Sequence, residues 1–226
     1  MQTKRLLLIV VLFSFLFSAI PQAATVMESI NYISNSKDFV EVKPAVGLAI
    51  NLKYATVDNF VGQNLYKEFN KAYLHIVAAE KLAKAVVLLQ AIKPQYKLVI
   101  FDALRPRSVQ FLLWNNVKGT SRQGYVANPR TGSIHNFGMA VDLSLLNADG
   151  VELDMGTKFD DFTELSQPQF EEKFIKAGRL SKEQVENRLL LRKVMVEAGF
   201  IQLPLEWWHF DALPKAEVKS TYKIVE

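Results

Sequence analysis

Two short segments concentrate the residues that could do chemistry. The first, Ser133-Ile-His-Asn-Phe-Gly-Met-Ala-Val-Asp142, places a histidine seven residues before an aspartate. The second, Glu206-Trp-Trp-His209, supplies another histidine and another carboxylate. A glycine between His135 and Asp142 allows the chain to turn, so the aspartate can point back toward the histidine.

These residue types form the donor set of a catalytic zinc site. Two imidazoles, from His135 and His209, and one carboxylate give three ligands and leave a fourth position open. Zinc lowers the pKa of water in that position to about 7, and a further acid must then accept the water proton. The alternative is that both histidines are ordinary hydrogen-bonded side chains and that the neighbouring Trp207 and Trp208 belong to the core.

The composition limits the other possibilities. The 226 residues include three histidines and no cysteine, which excludes disulfides, thiolate nucleophiles and cysteine-type zinc sites. The net charge is only +4, and no block of like charges occurs, which argues against nucleic acid as a partner. Signatures such as HExxH, GxSxG and GxGxxG are absent.

The patterns S-x-H-x-x-G-x-A-x-D and E-W-W-H resemble those of the zinc D-alanyl-D-alanine dipeptidases, the vancomycin-resistance type of zinc D,D-peptidase. This wider group acts on bacterial cell-wall peptides. Further segments fit the same family at compatible spacing: Lys53–Phe60, Asp102–Pro106 (D-x-x-R-P), Gly124–Val126, Met155–Asp160 and Asn187–Phe200. The resemblance therefore covers most of the chain after its first residues.

The resemblance implies a role for five residues. One zinc ion per chain would be held by His135, Asp142 and His209. Glu206 would act as general base and then as general acid, which suits a carboxylate that faces the metal. Arg105 would stabilise the oxyanion of the tetrahedral intermediate. Arg105 could instead be a solvated turn residue, and Arg107 and Arg130 are weaker candidates for its task.

The resemblance also suggests four substrate contacts: Ser133, Asn59, Phe60 and Asp160. Each has a simpler alternative, because Ser133 could cap a turn, Asn59 and Phe60 could form a buried turn, and Asp160 and the adjacent Asp161 could be surface acids. His75 lies outside every matching motif, and we interpret it as structural or exposed. Asn136, Phe137 and Met139 fill variable positions of the metal motif, while Ala103-Leu104 replaces an expected glycine and aromatic residue.

The elements that must position these residues follow from periodicity and turn chemistry. The sequence predicts helices over residues 70–92, over residues 108–116 and from Ser181 to Gly199, the last with Ser181 and Gln184 as a capping box. It predicts strands over residues 97–102 and 139–146, a hairpin return at Val151–Leu153, and strand-like segments after Gly199. Residues 118–133 read as a loop.

These elements do not alternate regularly, which favours the α+β class with a central antiparallel sheet flanked by helices. No linker divides the chain, so we expect a single catalytic domain over residues 24–226. The resemblance implies the zinc D,D-peptidase, or hedgehog-like, fold.

Residues 1–23 have the layout of a signal peptide, with Lys4 and Arg5 before 15 apolar residues and small residues at the end. The alternative of a membrane anchor is less favoured, because a spanning helix needs roughly 18 apolar residues. We therefore expect an exported, periplasmic protein without a stable membrane anchor after cleavage.

The predicted function is hydrolysis of the dipeptide D-alanyl-D-alanine to two D-alanines, in cell-wall metabolism or glycopeptide resistance. One alternative is a zinc D,D-carboxypeptidase or endopeptidase that acts on longer wall peptides. Another is a metal-binding or wall-binding protein without turnover, although mere binding would require neither Glu206 nor Arg105. The oligomeric state is not predicted.

Overall fold

The computed structural model describes residues 22–226, with side chains from residue 27 onward. Residues 1–21 of the predicted signal peptide lie outside this range. Within it are six α-helices: α1 (Gln22–Asn35), α2 (Ile76–Ile92), α3 (Arg107–Val117), α4 (Glu171–Lys176), α5 (Lys182–Glu197) and α6 (Lys215–Thr221). The same range holds seven strands: β1 (Phe39–Val42), β2 (Leu48–Ile50), β3 (Ala72–His75), β4 (Lys97–Asp102), β5 (Ala140–Leu146), β6 (Ile201–Gln202) and β7 (His209–Asp211). None of these helices is long and apolar enough to span a bilayer.

Five strands form the central sheet in the order β2-β4-β5-β7-β6, while β1 and β3 form a separate antiparallel pair. The mixed α and β architecture confirms the predicted class, but the sheet is not wholly antiparallel, because β2 runs parallel to β4. A parallel pair needs a long crossover, which β3 and α2 supply between these two strands. The other three pairings of this sheet are antiparallel.

The middle of the sheet is buried. In β5 every residue from Ala140 to Leu145 is buried, and in β4 every residue from Leu98 to Asp102 is buried. Such continuous burial means that both faces are covered. Helix α2 packs against α5 and β4, and it buries Ala78, Leu82, Ala85 and Leu89, which recur at helical spacing on one face. The strands that carry the site are thus held rigidly.

The predicted helix over residues 70–92 is wrong in its first six residues. Ala72–His75 instead forms strand β3, which pairs antiparallel with β1 in a register that sets His75 opposite Phe39. Helix α2 begins at Ile76, and the His75 side chain caps it by accepting a hydrogen bond from the Val77 backbone N–H. Strand pairing across the chain thus overrides the local helical composition.

Two further boundaries differ from the prediction. The Val151–Leu153 segment returns antiparallel beside β5, as predicted, through the Leu146–Glu152 bridge and two backbone hydrogen bonds, but it does not extend into a regular strand. Helix α5 has the predicted capping box between Ser181 and Gln184. The helix ends at Glu197 rather than at Gly199.

Candidate active site

Strand pairing lines up three ionisable side chains across the central sheet. Asp142 on β5 lies opposite Asp102 on β4 and opposite His209 on β7. Directly opposed residues project from the same face of a sheet, so the three side chains form a row. All three are buried.

His135 reaches this row from the turn that precedes β5. It lies in a short 3-10 turn, Ile134–Phe137, whose first N–H groups are capped by Ser133. Gly138 ends the turn with a φ of +66°, and a Cβ there would lie 2.8 Å from the backbone nitrogen of His75. The glycine of the metal motif is therefore required for the chain to pass from His135 into β5.

His135, Asp142 and His209 each direct one donor atom at a common point. His135 Nε2 lies 3.1 Å from His209 Nδ1 and 3.3 Å from Asp142 Oδ1. His209 Nδ1 lies 2.9 Å from Asp142 Oδ1. Ligands of a tetrahedral zinc ion lie roughly 3.3 Å from one another, given bonds of about 2.0–2.2 Å. The donor set and its spacing therefore fit one metal ion.

The other nitrogen of each imidazole is also occupied. His135 Nδ1 lies 2.7 Å from the carbonyl oxygen of Ala103, and His209 Nε2 lies 2.9 Å from Asp211 Oδ1. Such outer contacts fix the ring orientation of a metal-binding histidine. Burial alone would raise the pKa of Asp142, but the two imidazoles outweigh burial and hold that pKa well below its usual range.

Glu206 faces the three donors without joining them. Its Oε2 lies 3.9 Å from His209 Nδ1, and among the described residues its carboxylate has no hydrogen-bond partner. Burial raises the pKa of Glu206 to about 7, against the opposing influence of His209. A carboxylate with a pKa near neutrality is suited to take up and release a proton.

The Arg105 guanidinium is fixed on three sides. Its Nε and Nη2 donate to Asp102 Oδ2 at 2.8 and 2.5 Å, and its Nη1 donates to Gln110 Oε1 at 2.8 Å. The group lies over the Tyr54 ring, 4.9 Å from the ring centroid. Nη2 also lies 3.8 Å from Asp142 Oδ2. A guanidinium has five N–H donors, so two remain for a ligand.

The metal-donor cluster, Glu206 and Arg105 line one cavity, together with Ser133 and Asp160. The cavity volume is about 110 Å³. Pockets that enclose drug-sized ligands measure roughly 300–1,000 Å³, so this cavity suits a small substrate.

Comparison with known proteins decides the family. Residues 35–226 match the peptidase M15 family, described as D-Ala-D-Ala dipeptidase. The chain belongs to this family. It is 38% identical over 169 residues to a D-alanyl-D-alanine dipeptidase of Escherichia coli K12, a match that covers 75% of this chain and 80% of the relative. It is 35% identical over 184 residues to a D-alanyl-D-alanine dipeptidase of Enterococcus faecium, covering 73% and 85%.

Membership of the M15 peptidases confirms that the chain is an enzyme, and a metallopeptidase. The buried cluster of His135, Asp142 and His209 could hold the metal that this class requires. The metal-ligand and catalytic residues predicted from the sequence therefore lie together around one cavity. Only some of the predicted substrate contacts line the same cavity.

In this M15 peptidase, Asp160 and Ser133 do line the cavity. Asp160 Oδ1 accepts a hydrogen bond from the Tyr54 hydroxyl at 3.0 Å, whereas the buried Oδ2 has no partner. Burial, reinforced by Asp142, raises the Asp160 pKa well above its usual value. The residue is also held at a φ of +61°, which is uncommon outside glycine. An unpaired, constrained carboxylate in a cavity wall can receive a cationic group.

Asn59 and Phe60 do not line this cavity. The Asn59 amide nitrogen donates to three carbonyl groups of its own loop, including those of Lys53 and Gln63, and its oxygen accepts from the Val61 and Gly62 backbone. Phe60 packs edge-on against Tyr54 and Phe162. The structure thus gives both residues a role in shaping the loop, and it does not bring them to the donor cluster.

The alternative candidates do not line the cavity. Arg107 is paired with Glu226, and Arg130 is exposed. Asp161 does not line the cavity, although its Oδ1 is buried without a hydrogen bond. His75 is buried as the cap of α2, which confirms that it is structural.

Four residues that position the catalytic and metal-binding side chains were not predicted from the sequence. Tyr54 supports both Arg105 and Asp160, and Gln110 links Arg105 to the Ala127 carbonyl. The remaining two are Asp102, which lies within a recognised motif but received no role, and Asp211. Asp211, two residues after His209, had a local signal, because alternate residues of a strand share a face. Asp102 had one as well, because it lies three residues before Arg105.

Asn136, which fills a variable position of the motif, joins the segment that carries Arg105 to the turn that carries His135. Its amide nitrogen donates to the Arg105 carbonyl at 2.7 Å, its side-chain oxygen accepts from the Ser133 backbone, and its own carbonyl accepts from the Val225 N–H. It is fully buried.

We expect Asn136→Ala to lower the free energy of unfolding by about 1–3 kcal/mol for each of the two groups that its side chain leaves unpaired. Urea denaturation measures this loss. The control is Asn70→Ala, at an exposed position, where a change of about 0.5 kcal/mol or less is expected. Equal effects of the two substitutions would contradict the proposed junction.

Proposed function

We propose that the protein is a zinc-dependent dipeptidase that hydrolyses D-alanyl-D-alanine to two D-alanines. The observation that carries the proposal is the convergence of three metal donors, a base candidate and an unpaired acid on one small cavity. The relatives named above are D-alanyl-D-alanine dipeptidases, which supports the same substrate for this chain.

Zinc is the metal that best fits the donor set. Two imidazole nitrogens and one carboxylate oxygen, with no thiolate, match the His/His/acid ligation of catalytic zinc sites. His135, Asp142 and His209 would hold one ion per chain. When bound, zinc supplies Lewis-acid polarisation of the scissile carbonyl and eases the deprotonation of water.

Glu206 would transfer the proton that hydrolysis requires. Its carboxylate accepts a proton from the attacking water, whose oxygen forms the new bond to the carbonyl carbon. The same group then donates that proton to the nitrogen of the leaving D-alanine as the C–N bond breaks. Its position beside the donor cluster, and a pKa of about 7, suit both steps.

Arg105 would stabilise the negative charge that develops on the carbonyl oxygen. Its contacts with Asp102 and Gln110 hold the guanidinium before substrate arrives. A pre-oriented cation stabilises the transition state without a cost of reorganisation. Two N–H donors remain available for the oxyanion.

Asp160 would bind the substrate ammonium group. Asp160 lines the cavity, its buried Oδ2 has no hydrogen-bond partner, and the cavity has little room beyond a small ligand. A free dipeptide carries a positive charge on the amino group of its first D-alanine, whereas that nitrogen is an uncharged amide in an N-acetylated or extended peptide. Ser133 would contribute to substrate binding through its place in the same wall.

We therefore expect free D-alanyl-D-alanine to be hydrolysed with a kcat/KM at least roughly 10²-fold higher than N-acetyl-D-alanyl-D-alanine or a pentapeptide ending in D-alanyl-D-alanine. The blocked substrates leave the buried Asp160 unpaired and require extra room. Release of D-alanine from each substrate at equal enzyme concentration measures the ratio.

Asp160→Asn is expected to reduce this discrimination, and Asp149→Asn, in an exposed turn, is the matched control. Comparable rates on all three substrates with the unmodified protein would instead favour a D,D-carboxypeptidase. That result would contradict the dipeptidase proposal but not the assignment of the metal ligands.

Several broader features belong to the same proposal. Residues 1–23 would direct export to the periplasm, and residues 24–226 would form the catalytic domain, with a hedgehog-like zinc D,D-peptidase fold. The basic start, apolar run and small residues of the leader support export. The small dipeptide would be a product or intermediate of cell-wall metabolism.

A further inference from the structure

Asp211 is placed by the strand that also carries His209. The two residues are separated by one position in β7, so their side chains project from the same face. Asp211 Oδ1 lies 2.9 Å from His209 Nε2, on the side of the ring opposite the donor cluster. Its side chain is 14% exposed, so the contact is well shielded from water.

This contact leaves Nδ1 as the nitrogen of His209 that faces a metal. A carboxylate accepts hydrogen bonds, so Nε2 can donate its proton to Asp211 while the lone pair of Nδ1 binds the metal. Nδ1 is the atom that lies 3.1 Å from His135 Nε2 and 2.9 Å from Asp142 Oδ1. The contact with Asp211 therefore holds the ring in the orientation that a metal at the donor cluster requires.

The two histidine donors differ in their outer partners. His135 Nδ1 faces the neutral carbonyl of Ala103 at 2.7 Å, and Asp102 lies farther away at 3.6 Å. Asp102 is also occupied by Arg105 and Tyr66. Among the described residues of the cluster, only His209 therefore has an anionic partner at hydrogen-bonding distance from its outer nitrogen.

We infer that Asp211 is a positioning residue that sets the metal affinity of the site by orienting the His209 ring toward the metal. This inference rests on the metal site proposed above. A histidine whose outer N–H donates to a carboxylate is a stronger ligand than one that donates to a neutral carbonyl, and loss of such a partner typically weakens metal binding by about 10–100-fold.

The test is the dissociation constant for zinc, measured on metal-stripped full chain by competition with a chromophoric chelator. Asp211→Ala is expected to bind zinc about 10–100-fold more weakly than the parent protein. Asp211→Asn keeps the size of the side chain and one acceptor oxygen but removes the charge, so an intermediate loss of about tenfold or less is expected. This second variant also keeps the test valid if the alanine variant folds poorly.

Asp149→Ala is the matched control, because it removes one negative charge from an exposed turn. It is expected to bind zinc as the parent does. The melting temperature of each metal-free variant reports a purely structural role, which would lower that temperature without changing the zinc dissociation constant.

Zinc affinity of Asp211→Ala within twofold of the parent would overturn the inference, as would an equal loss in Asp149→Ala. Failure of the metal site itself is recognised separately, because His135→Ala would then retain zinc as tightly as the parent. A parent that binds zinc tightly, with binding lost in His135→Ala and unchanged in Asp211→Ala, would refute the role of Asp211 alone.

Discussion

Replacing Glu206 with Gln is expected to lower the turnover of D-alanyl-D-alanine by roughly 10²–10⁴-fold while leaving zinc bound. The amide is nearly isosteric with the carboxylate but cannot accept a proton from water. Glu206 is not one of the three clustered donors, so its loss should not release the metal. Steady-state kinetics and the metal content of the same preparation measure the two effects.

Glu217→Gln provides the control for this substitution, because Glu217 is an exposed residue of α6. It is expected to retain the turnover of the parent. A decrease of less than about tenfold in Glu206→Gln would show that another group acts as the base. Loss of zinc in that variant would show instead that Glu206 is a ligand.

Replacement of either histidine of the donor cluster is expected to abolish tight zinc retention. His135→Ala and His209→Ala each leave two of three protein ligands, and each also removes a ring that contacts the other ligands. A catalytic zinc site depends on three protein ligands. After gel filtration in a buffer that contains a chelator, metal analysis should find about one zinc ion per chain in the parent and little in either variant.

His75→Ala is the matched control, since His75 is the third histidine and caps α2 away from the cluster. This variant is expected to retain zinc, although the loss of the cap should lower its stability by about 0.5–2 kcal/mol. Full zinc occupancy in both cluster variants would contradict the ligand assignment. Far-ultraviolet circular dichroism would confirm that each variant is folded.

The local features of the site could be predicted from the sequence. The glycine turn between His135 and Asp142 is encoded within eight residues, and the Ser181 cap of α5 within four. The short strand β4 has the predicted bounds, because its apolar run is limited by polar residues on either side. In each case the residues that determine the local structure are close to one another in the sequence.

The tyrosine that supports both Arg105 and Asp160 could not be predicted in this way. Tyr54 and Asp160 are separated by 106 positions, and no periodicity or spacing relates them. The same is true of the parallel pairing of β2 with β4, which depends on how α2 packs across the sheet. Strand β3 was predicted as helix because its pairing with β1 is likewise invisible in local composition.

Ala103 and Leu104 stand where the family motif has a glycine and an aromatic residue, and the structure shows what this replacement changes. Ala103 contacts His135 through its backbone carbonyl, so the contact does not depend on the side chain. Leu104 donates its backbone N–H to Tyr73 and is buried. These two departures from the expected motif therefore leave the supports of the metal cluster intact.

The most direct test of the proposed activity is the release of D-alanine from D-alanyl-D-alanine by the purified protein, before and after removal of metal. We expect two D-alanines from each dipeptide with zinc present, almost none after chelation, and recovery when zinc is added back. A folded, zinc-loaded protein that leaves the dipeptide intact would contradict the proposal.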